Sequence, residues 1–566
     1  MSTRIWLVCS ALLLLVGGGA FASWSTSAGT GTRPADFQGP TPPHPGLDVQ
    51  HYSFDLTLAD STDRIRGEAE VRVRFTTDTL STVRLDLIGP PSSPAETGMR
   101  VQSVMHDGAE LEVQQANNHV RITPATPPTT DAVRTYTIRY AGIPADGLII
   151  GTNQHGERTF FGDNWPNRAR HWLPVVDHLA DKATVSFTVT APPRYAVVSN
   201  GTLVRDTTRG TTRTTTWRTD EPLPTKVMVI GVADFAVDRV ATVADSIPVQ
   251  SWVYPQDRTE GFRDLGQAPG IIRFFIENLG PFPYEKLANV QSTTRYGGME
   301  NATAIFYSEQ AVSDGEDDTN LIAHEIAHQW YGNSVTESDW PHLWLSEGFA
   351  TYLAGLYLEH AQGPAALTRY MERARRRVLA YTRQNPDTPL VDTTYADPAE
   401  LLTTNPYQKG AWVLHMLRHT VGTDAFWDGL RAYYARYRDG NASTSDFQAV
   451  MEDVSGQDLG TFFQQWTRRA GHPTLEGTWR FDADANACII DLRQTQNGPP
   501  FDVAVDVGIM TDGATDGAAD GGRVQTLDLT QAQQSFRVDC AASPSQVVLD
   551  PNTHLLAETS MQEAGS

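Results

Sequence analysis

The sequence predicts a multidomain α+β chain: an all-β domain, then a mostly helical domain, then a small closing β-sandwich. Three observations predict it. Between about residues 46 and 257, apolar residues alternate in short runs separated by turns, the period of half-buried strands. From about 258 to 470 the apolar spacing lengthens to the helical period. From about 471 to 566 short alternating runs return.

Residues 1–22 come first. Arg4, the apolar run Ile5–Val16 and the small-x-small triplet Ala20-Phe21-Ala22 read as a secretory signal peptide. An uncleaved anchor is the alternative, but the run is short for a membrane span. No other stretch reads as one. Residues 23–45 are small, polar and Pro-rich, the composition of an extended linker. In the first β-domain, Tyr52, Phe54, Leu56 and Leu58 share a face. So do Val71, Val73 and Phe75, then Val83, Leu85 and Leu87, then Tyr136, Ile138 and Tyr140, then Val185, Phe187 and Val189. These patterns predict a sandwich. A loop dense in aromatic and charged residues follows Phe160. Trp165 and Trp172 are expected to pack it, and Asp163, Arg168, Arg170 and Asp177 to pair within it, with one group near Asp163 or Asn164 reaching the active cleft.

The stretch Asn320–Tyr331 reads as a buried helix, with Asp318 or Thr319 at its start and Gly332-Asn333 at its end. It contains His324, Glu325 and His328. Residues four apart sit one turn above each other on a helix face, so two imidazoles can reach one Zn²⁺. A third donor is needed. Glu347, on the helical pattern of Leu345, Phe349, Leu353 and Leu356, completes a His₂Glu set with a fourth position left open. Further helical patterns cover Ile271–Leu279, Leu367–Tyr381, Lys409–Thr420 and Asp424–Tyr437. Strand patterns after residue 473 run through Thr478–Phe481, Ala487–Leu492, Phe501–Val507, Val524–Leu529 and Ser535–Val538.

Composition sets the outer limits. A chain of 566 residues exceeds one hydrophobic core. A net charge of −23 argues against a nucleic-acid partner. Lys occurs only at 182, 226, 286 and 409. Of three cysteines, Cys9 lies in the signal, and Cys488 and Cys540 are expected to form a disulfide in an exported protein. Two patterns are weighed as metal sites and set aside. His415 and His419 stand four apart with no acid between them. Asp512, Asp516 and Asp520 lack the alternate spacing of a calcium loop.

Upstream of the zinc helix stands Gly297-Gly298-Met299-Glu300-Asn301, where the glycine pair lets backbone approach a ligand closely. This pentapeptide, then His324-Glu325-x-x-His328, then eighteen residues, then Glu347, resembles the zinc aminopeptidases of peptidase family M1. That group includes aminopeptidase N and the leukotriene epoxide hydrolase. Tyr407-Gln408-Lys409-Gly410, Arg170-x-x-x-Pro174-x-x-Asp177, Lys182-Ala183 and Trp466…Gly471-His472-Pro473 extend the similarity over roughly residues 46–475. The resemblance implies a saddle-like N-terminal β-sandwich and a thermolysin-like catalytic domain with one Zn²⁺ per chain at His324, His328 and Glu347. It assigns Glu325 as general base and Tyr407 as a donor to the carbonyl oxygen. Glu300 would bind the free α-amine of a peptide, beside Gly297, Gly298, Met299 and Asn301. The alternatives are a zinc hydrolase of another substrate, such as an epoxide, and a non-catalytic peptide-binding scaffold.

Overall fold

The structure is a computed structural model that describes residues 44–90, 97–313, 315–510 and 522–564. The signal-like segment, all of the linker before residue 44, and Asp512, Asp516 and Asp520 lie outside the described residues. The chain divides into two compact units. The first comprises residues 44–273, Phe282–Gln329 and Ala396–Pro398, and the second Phe274–Pro281, Trp330–Tyr395 and residues 399–564.

In the first unit, alternation is translated directly into a sheet. The strand Leu47–Ala59 buries Tyr52, Phe54, Leu56 and Leu58 while Asp55 and Thr57 face out. It lies inside an eight-stranded sheet, antiparallel to Thr62–Phe75 and parallel to Lys182–Ala191. The register sets Tyr52 beside Val71 and Val185, and Phe54 beside Ala69 and Phe187. The Phe54 and Phe187 rings stand 5.2 Å apart, and Trp172 stacks on Phe187 at 6.2 Å. A four-stranded and a three-stranded sheet complete the N-terminal β-region.

The aromatic loop packs much as its composition suggests. Trp172 donates its indole N–H to Asn164 Oδ1 at 2.8 Å, and the Asn164 amide donates to the carbonyls of Thr225 and Met228. Asp163 pairs with Arg168 at 2.6 Å, and Arg170 with Asp177 at 3.0 Å. Asn164 thus ties the loop to the chain at Thr225 and Met228. Asp163 reaches only as far as the backbone N–H of Arg295, at 3.4 Å. That contact holds the chain two residues before Gly297.

A five-stranded sheet runs Ala236–Val243, Ile247–Val253, Leu287–Ser292, Ala304–Ser308, Gly298–Met299, so its strands come from both sides of residue 257. Every residue of Leu287–Ser292 is buried, and a strand covered on both faces shows no alternation to betray it. The short strand Gly298–Met299 forms the edge, antiparallel to Tyr307 and Phe306.

In the second unit the helices Trp344–Gln362, Pro364–Gln384, Gly410–Val421, Thr423–Tyr437 and Thr444–Ser455 pack around buried aromatic rings. Phe349 and Phe447 lie 5.0 Å apart, as do Tyr433 and Phe447. A four-stranded sheet (Gln533–Asp539, Ala487–Gln494, Thr474–Asp482, Glu558–Glu563) and a three-stranded sheet (Gly522–Leu529, Val503–Met510, Gln546–Leu549) form the C-terminal β-region. Cys488 and Cys540 are joined by a disulfide with a Cα–Cα distance of 5.7 Å. The chain is therefore β-sheet, then helical, then β-sheet, with the metal-ligating cluster in the helical part. Among the described residues, no helix is long and apolar enough to cross a membrane.

Candidate metal centre

The helix that carries the first two ligands is shorter than the sequence suggests, Thr319–Ala327. Asp318 stands at its N-cap position, where its carbonyl accepts from Ile322 N–H at 2.9 Å, and Asp317 Oδ1 accepts from the Thr319 backbone N–H at 3.1 Å. At the other end the turn tightens. Gln329 N–H bonds back to Ile326 O rather than to Glu325, the i→i−3 closure common at helix ends. His328 keeps helical angles (φ −58°, ψ −24°), so the one-turn spacing of His324 and His328 survives the early stop.

The two imidazole Nε2 atoms stand 3.0 Å apart. Glu347 comes from the first turn of the helix Trp344–Gln362, whose start is fixed by Trp344 Nε1–H donating to Thr444 Oγ1 at 2.9 Å. Ligand atoms of His324, His328 and Glu347 all lie within 4.8 Å of one another. Two donors at the usual Zn–N length of about 2.05 Å, at a tetrahedral angle, are separated by about 3.3 Å. Two nitrogens and a carboxylate oxygen are also the donors zinc prefers. The set therefore fits one Zn²⁺. His328 and Glu347 are buried, whereas His324 is partly exposed.

Glu325 is buried beside this pair and packs against the strand that carries the pentapeptide. A Cβ on Gly298 would fall 2.5 Å from Glu325 Cδ, a distance real Cβ atoms do not reach. At Gly298 the backbone's close approach is to Glu325. Gly297 contributes its carbonyl, which accepts from Ser308 N–H at 2.9 Å. Met299 is buried opposite Phe306, and the Asn301 N–H turns back onto the Met299 carbonyl at 2.8 Å. Glu300 is buried at 5% exposure.

Gln329, which sequence reasoning did not single out, ties this segment to the zinc helix. Its Oε1 accepts from Thr303 N–H at 2.9 Å, and its Nε2 donates to the Glu300 carbonyl at 3.0 Å. Thr303 holds a positive φ of 63°, a conformation a β-branched residue adopts only when its surroundings enforce it. Those surroundings include Lys286, whose ammonium donates to the carbonyls of Thr303 and Ser199 and to Thr303 Oγ1, all between 2.8 and 3.0 Å. Full burial pulls the Lys286 pKa down to about 7, against the opposing pull of the Glu285 carboxylate. The only signal for Lys286 was the scarcity of lysine. Lys409, also buried, donates to the Gly471 carbonyl at 3.3 Å.

Tyr407 lies in the turn Asn405–Lys409, buried at 8% exposure. This turn packs on the Glu347 helix through two glycines. A Cβ on Gly348 would meet Gly410 Cα at 2.9 Å and the Pro406 carbonyl oxygen at 3.0 Å, and a Cβ on Gly410 would meet Gly348 Cα at 2.9 Å. Backbone therefore touches backbone next to both Glu347 and the Tyr407 turn.

Paired imidazoles and a carboxylate on adjoining helical segments, preceded and followed by β-sheet regions, define a zinc metalloenzyme. Residues 264–466 match the peptidase family M1 domain, and residues 48–227 match the peptidase M1 N-terminal domain. The chain belongs to peptidase family M1. It is similar to glutamyl aminopeptidase of Homo sapiens, 27% identical over 67% of this chain and 42% of that protein. It is also similar to aminopeptidase M1 of Arabidopsis thaliana, 28% identical over 55% of this chain and 37% of that protein. The chain thus spans less than half the length of these relatives. An M1 zinc metallopeptidase from Deinococcus radiodurans superposes with a TM-score of 0.64 at 25% identity, covering 75% of this chain and 94% of that one. A mutant of it bound to a Tyr-Ser-Ala substrate gives 0.62 at 26%, with the same coverage.

Proposed function

We propose that this protein is a zinc-dependent aminopeptidase that releases the first residue of peptides with a free N-terminus. One observation carries the reading: the His324, His328 and Glu347 donors converge, and Glu325 is held beside them by Gly298 of the same segment that supplies Glu300. Zn²⁺ in that donor set supplies Lewis acidity and lowers the pKa of a water from 15.7 to about 7. Glu325 takes the proton of the attacking water and returns it to the amine nitrogen as the peptide C–N bond breaks. Tyr407 donates its phenolic hydrogen to the carbonyl oxygen, where negative charge grows. Glu300 pairs with the substrate's α-ammonium, so a chain end is accepted and an internal bond is not. Gly297, Gly298, Met299 and Asn301 shape the backbone around that anchor.

The Deinococcus radiodurans relative bound to Tyr-Ser-Ala supports a peptide substrate. The Cys488–Cys540 disulfide supports the further proposal that the protein is exported, since such bonds persist in oxidising compartments.

The test is hydrolysis of an aminoacyl-naphthylamide panel before and after chelation. Turnover that disappears with the chelator and returns with Zn²⁺, and that N-acetylation of the substrate abolishes, is the expected result. Equal cleavage of acetylated substrates refutes the role of Glu300, and turnover untouched by full metal removal refutes the zinc chemistry.

A further inference from the structure

A second group of metal-ligating side chains lies wholly within the second unit. His419, Asp506 and His554 each direct a ligand atom to one place, and these atoms lie within 4.8 Å of one another. His419 stands in the last turn of the helix Gly410–Val421, Asp506 in the middle of the strand Val503–Met510, and His554 in the chain returning from that sheet. Asp506 Oδ2 is 3.1 Å from His554 Nδ1 and 3.8 Å from His419 Nε2. The two imidazoles stack at 4.1 Å.

The cluster is built from behind. Asp506 is buried at 6% exposure, and its other oxygen accepts from Thr526 Oγ1–H at 2.7 Å. The Asp506 carbonyl accepts from Asp550 N–H at 2.7 Å. Asp550 Oδ1 in turn accepts from the His554 backbone N–H at 2.6 Å, while its Oδ2 takes Arg375 at 2.8 Å. On the helix, His415 Nε2–H donates to the Thr553 carbonyl at 2.9 Å, which docks the segment just before His554. The carboxylate is therefore oriented by a partner of its own, the arrangement that outer hydrogen bonds give to metal ligands, and the backbone that carries the second imidazole is anchored at the Thr553 carbonyl and the His554 N–H. His419, 38% exposed, is the least constrained of the three.

We propose that His419, Asp506 and His554 form a second binding site for a divalent transition metal of the zinc class, distinct from the His324, His328 and Glu347 centre. A tetrahedral ion places its donors about 3.3 Å apart, so His554 and Asp506 already stand at the required spacing, and His419 closes by about half an ångström. Two nitrogen donors in three select zinc, copper or nickel over magnesium and calcium, which take oxygen. Exposure at His419 leaves the remaining position to water. Bound there, the ion joins the last turn of the helix to the C-terminal sheet, and it stabilises the folded chain by mass action.

The test uses the full-length protein, Zn²⁺ alone, equilibrium dialysis and elemental analysis. The wild type is expected to bind about two equivalents, and His419→Ala about one, with peptide hydrolysis unchanged. His324→Ala is expected to lose the other equivalent and keep this one. Thr526→Val removes only the bond behind Asp506 and is expected to weaken the second equivalent about 10–100-fold. X-ray absorption of His324→Ala loaded with one Zn²⁺ should show imidazole nitrogen among the donors. Saturation of the wild type at one equivalent overturns the proposal. So does unchanged stoichiometry and affinity in both His419→Ala and Asp506→Asn, the latter chosen because it keeps an acceptor for Thr526.

Discussion

Gly298 has no side chain because Glu325 fills the place where one would go: a Cβ there would lie 2.5 Å from Glu325 Cδ and 2.6 Å from Cγ. Gly298→Ala therefore has to push Glu325 or the edge strand aside. A displacement of about 1 Å at a catalytic group costs on the order of 100-fold in rate. The expected outcome is a fall in kcat/KM of about that size, with zinc content unchanged by elemental analysis. Full turnover in this variant would show that the contact does not set the position of the base.

Glu325→Gln keeps the shape of the side chain and removes its basicity. Zinc should remain, since the donors are His324, His328 and Glu347. Turnover should fall by about 10²–10⁴, the usual contribution of a positioned general base. Single-turnover assays on metal-replete protein would check this, and a rate within a few-fold of wild type would remove Glu325 from the proton transfer.

Gly348→Ala tests the backbone contact behind Glu347. The added methyl meets Gly410 Cα and the Pro406 carbonyl, neither of which can rotate away. Overpacking of this kind destabilises by about 1–3 kcal/mol. A lowered midpoint in urea, with a weaker hold on zinc, is expected. An unchanged midpoint would mean that the two helical segments separate at little cost.

Asp181 supplies a pH dependence. Burial, with a smaller contribution from the Asp48 charge, pushes its carboxyl up to about 8 from 3.8. The folded chain then keeps a proton that the unfolded chain releases, so this residue's contribution to stability falls as pH rises from about 4 to about 8. Asp181→Asn abolishes that loss. Its Tm should exceed the wild-type value at pH 8 by at least about 2 °C and match it near pH 4. The reverse order of the two differences would contradict the sign.

The sequence displays what repeats locally and hides what meets at long range. His324 and His328 were legible because one helical turn brings them together, and Glu347 because it follows them at a set distance on a stretch where Leu345, Phe349, Leu353 and Leu356 repeat at helical spacing. The strands around Tyr52, Val71, Tyr136 and Val185 were legible by alternation. Leu287–Ser292 was not, because complete burial erases the pattern. Spacing also suggested His415 with His419, but the fold separates their tasks. His415 turns to Tyr352 and Thr553, and His419 to Asp506 and His554. Gln329 and Lys286 carried no motif at all. Their importance lies in backbone groups of Glu300, Thr303 and Ser199, which no pattern of side chains records.

Gln329 follows the second histidine directly, and both ends of its amide grip the strand turn that bears Glu300. The Glu300 backbone and the imidazole pair are consequently tied together through one side chain. If Glu300 takes a peptide's amino end as proposed, the length of the piece removed is a gauge built into this one bracket.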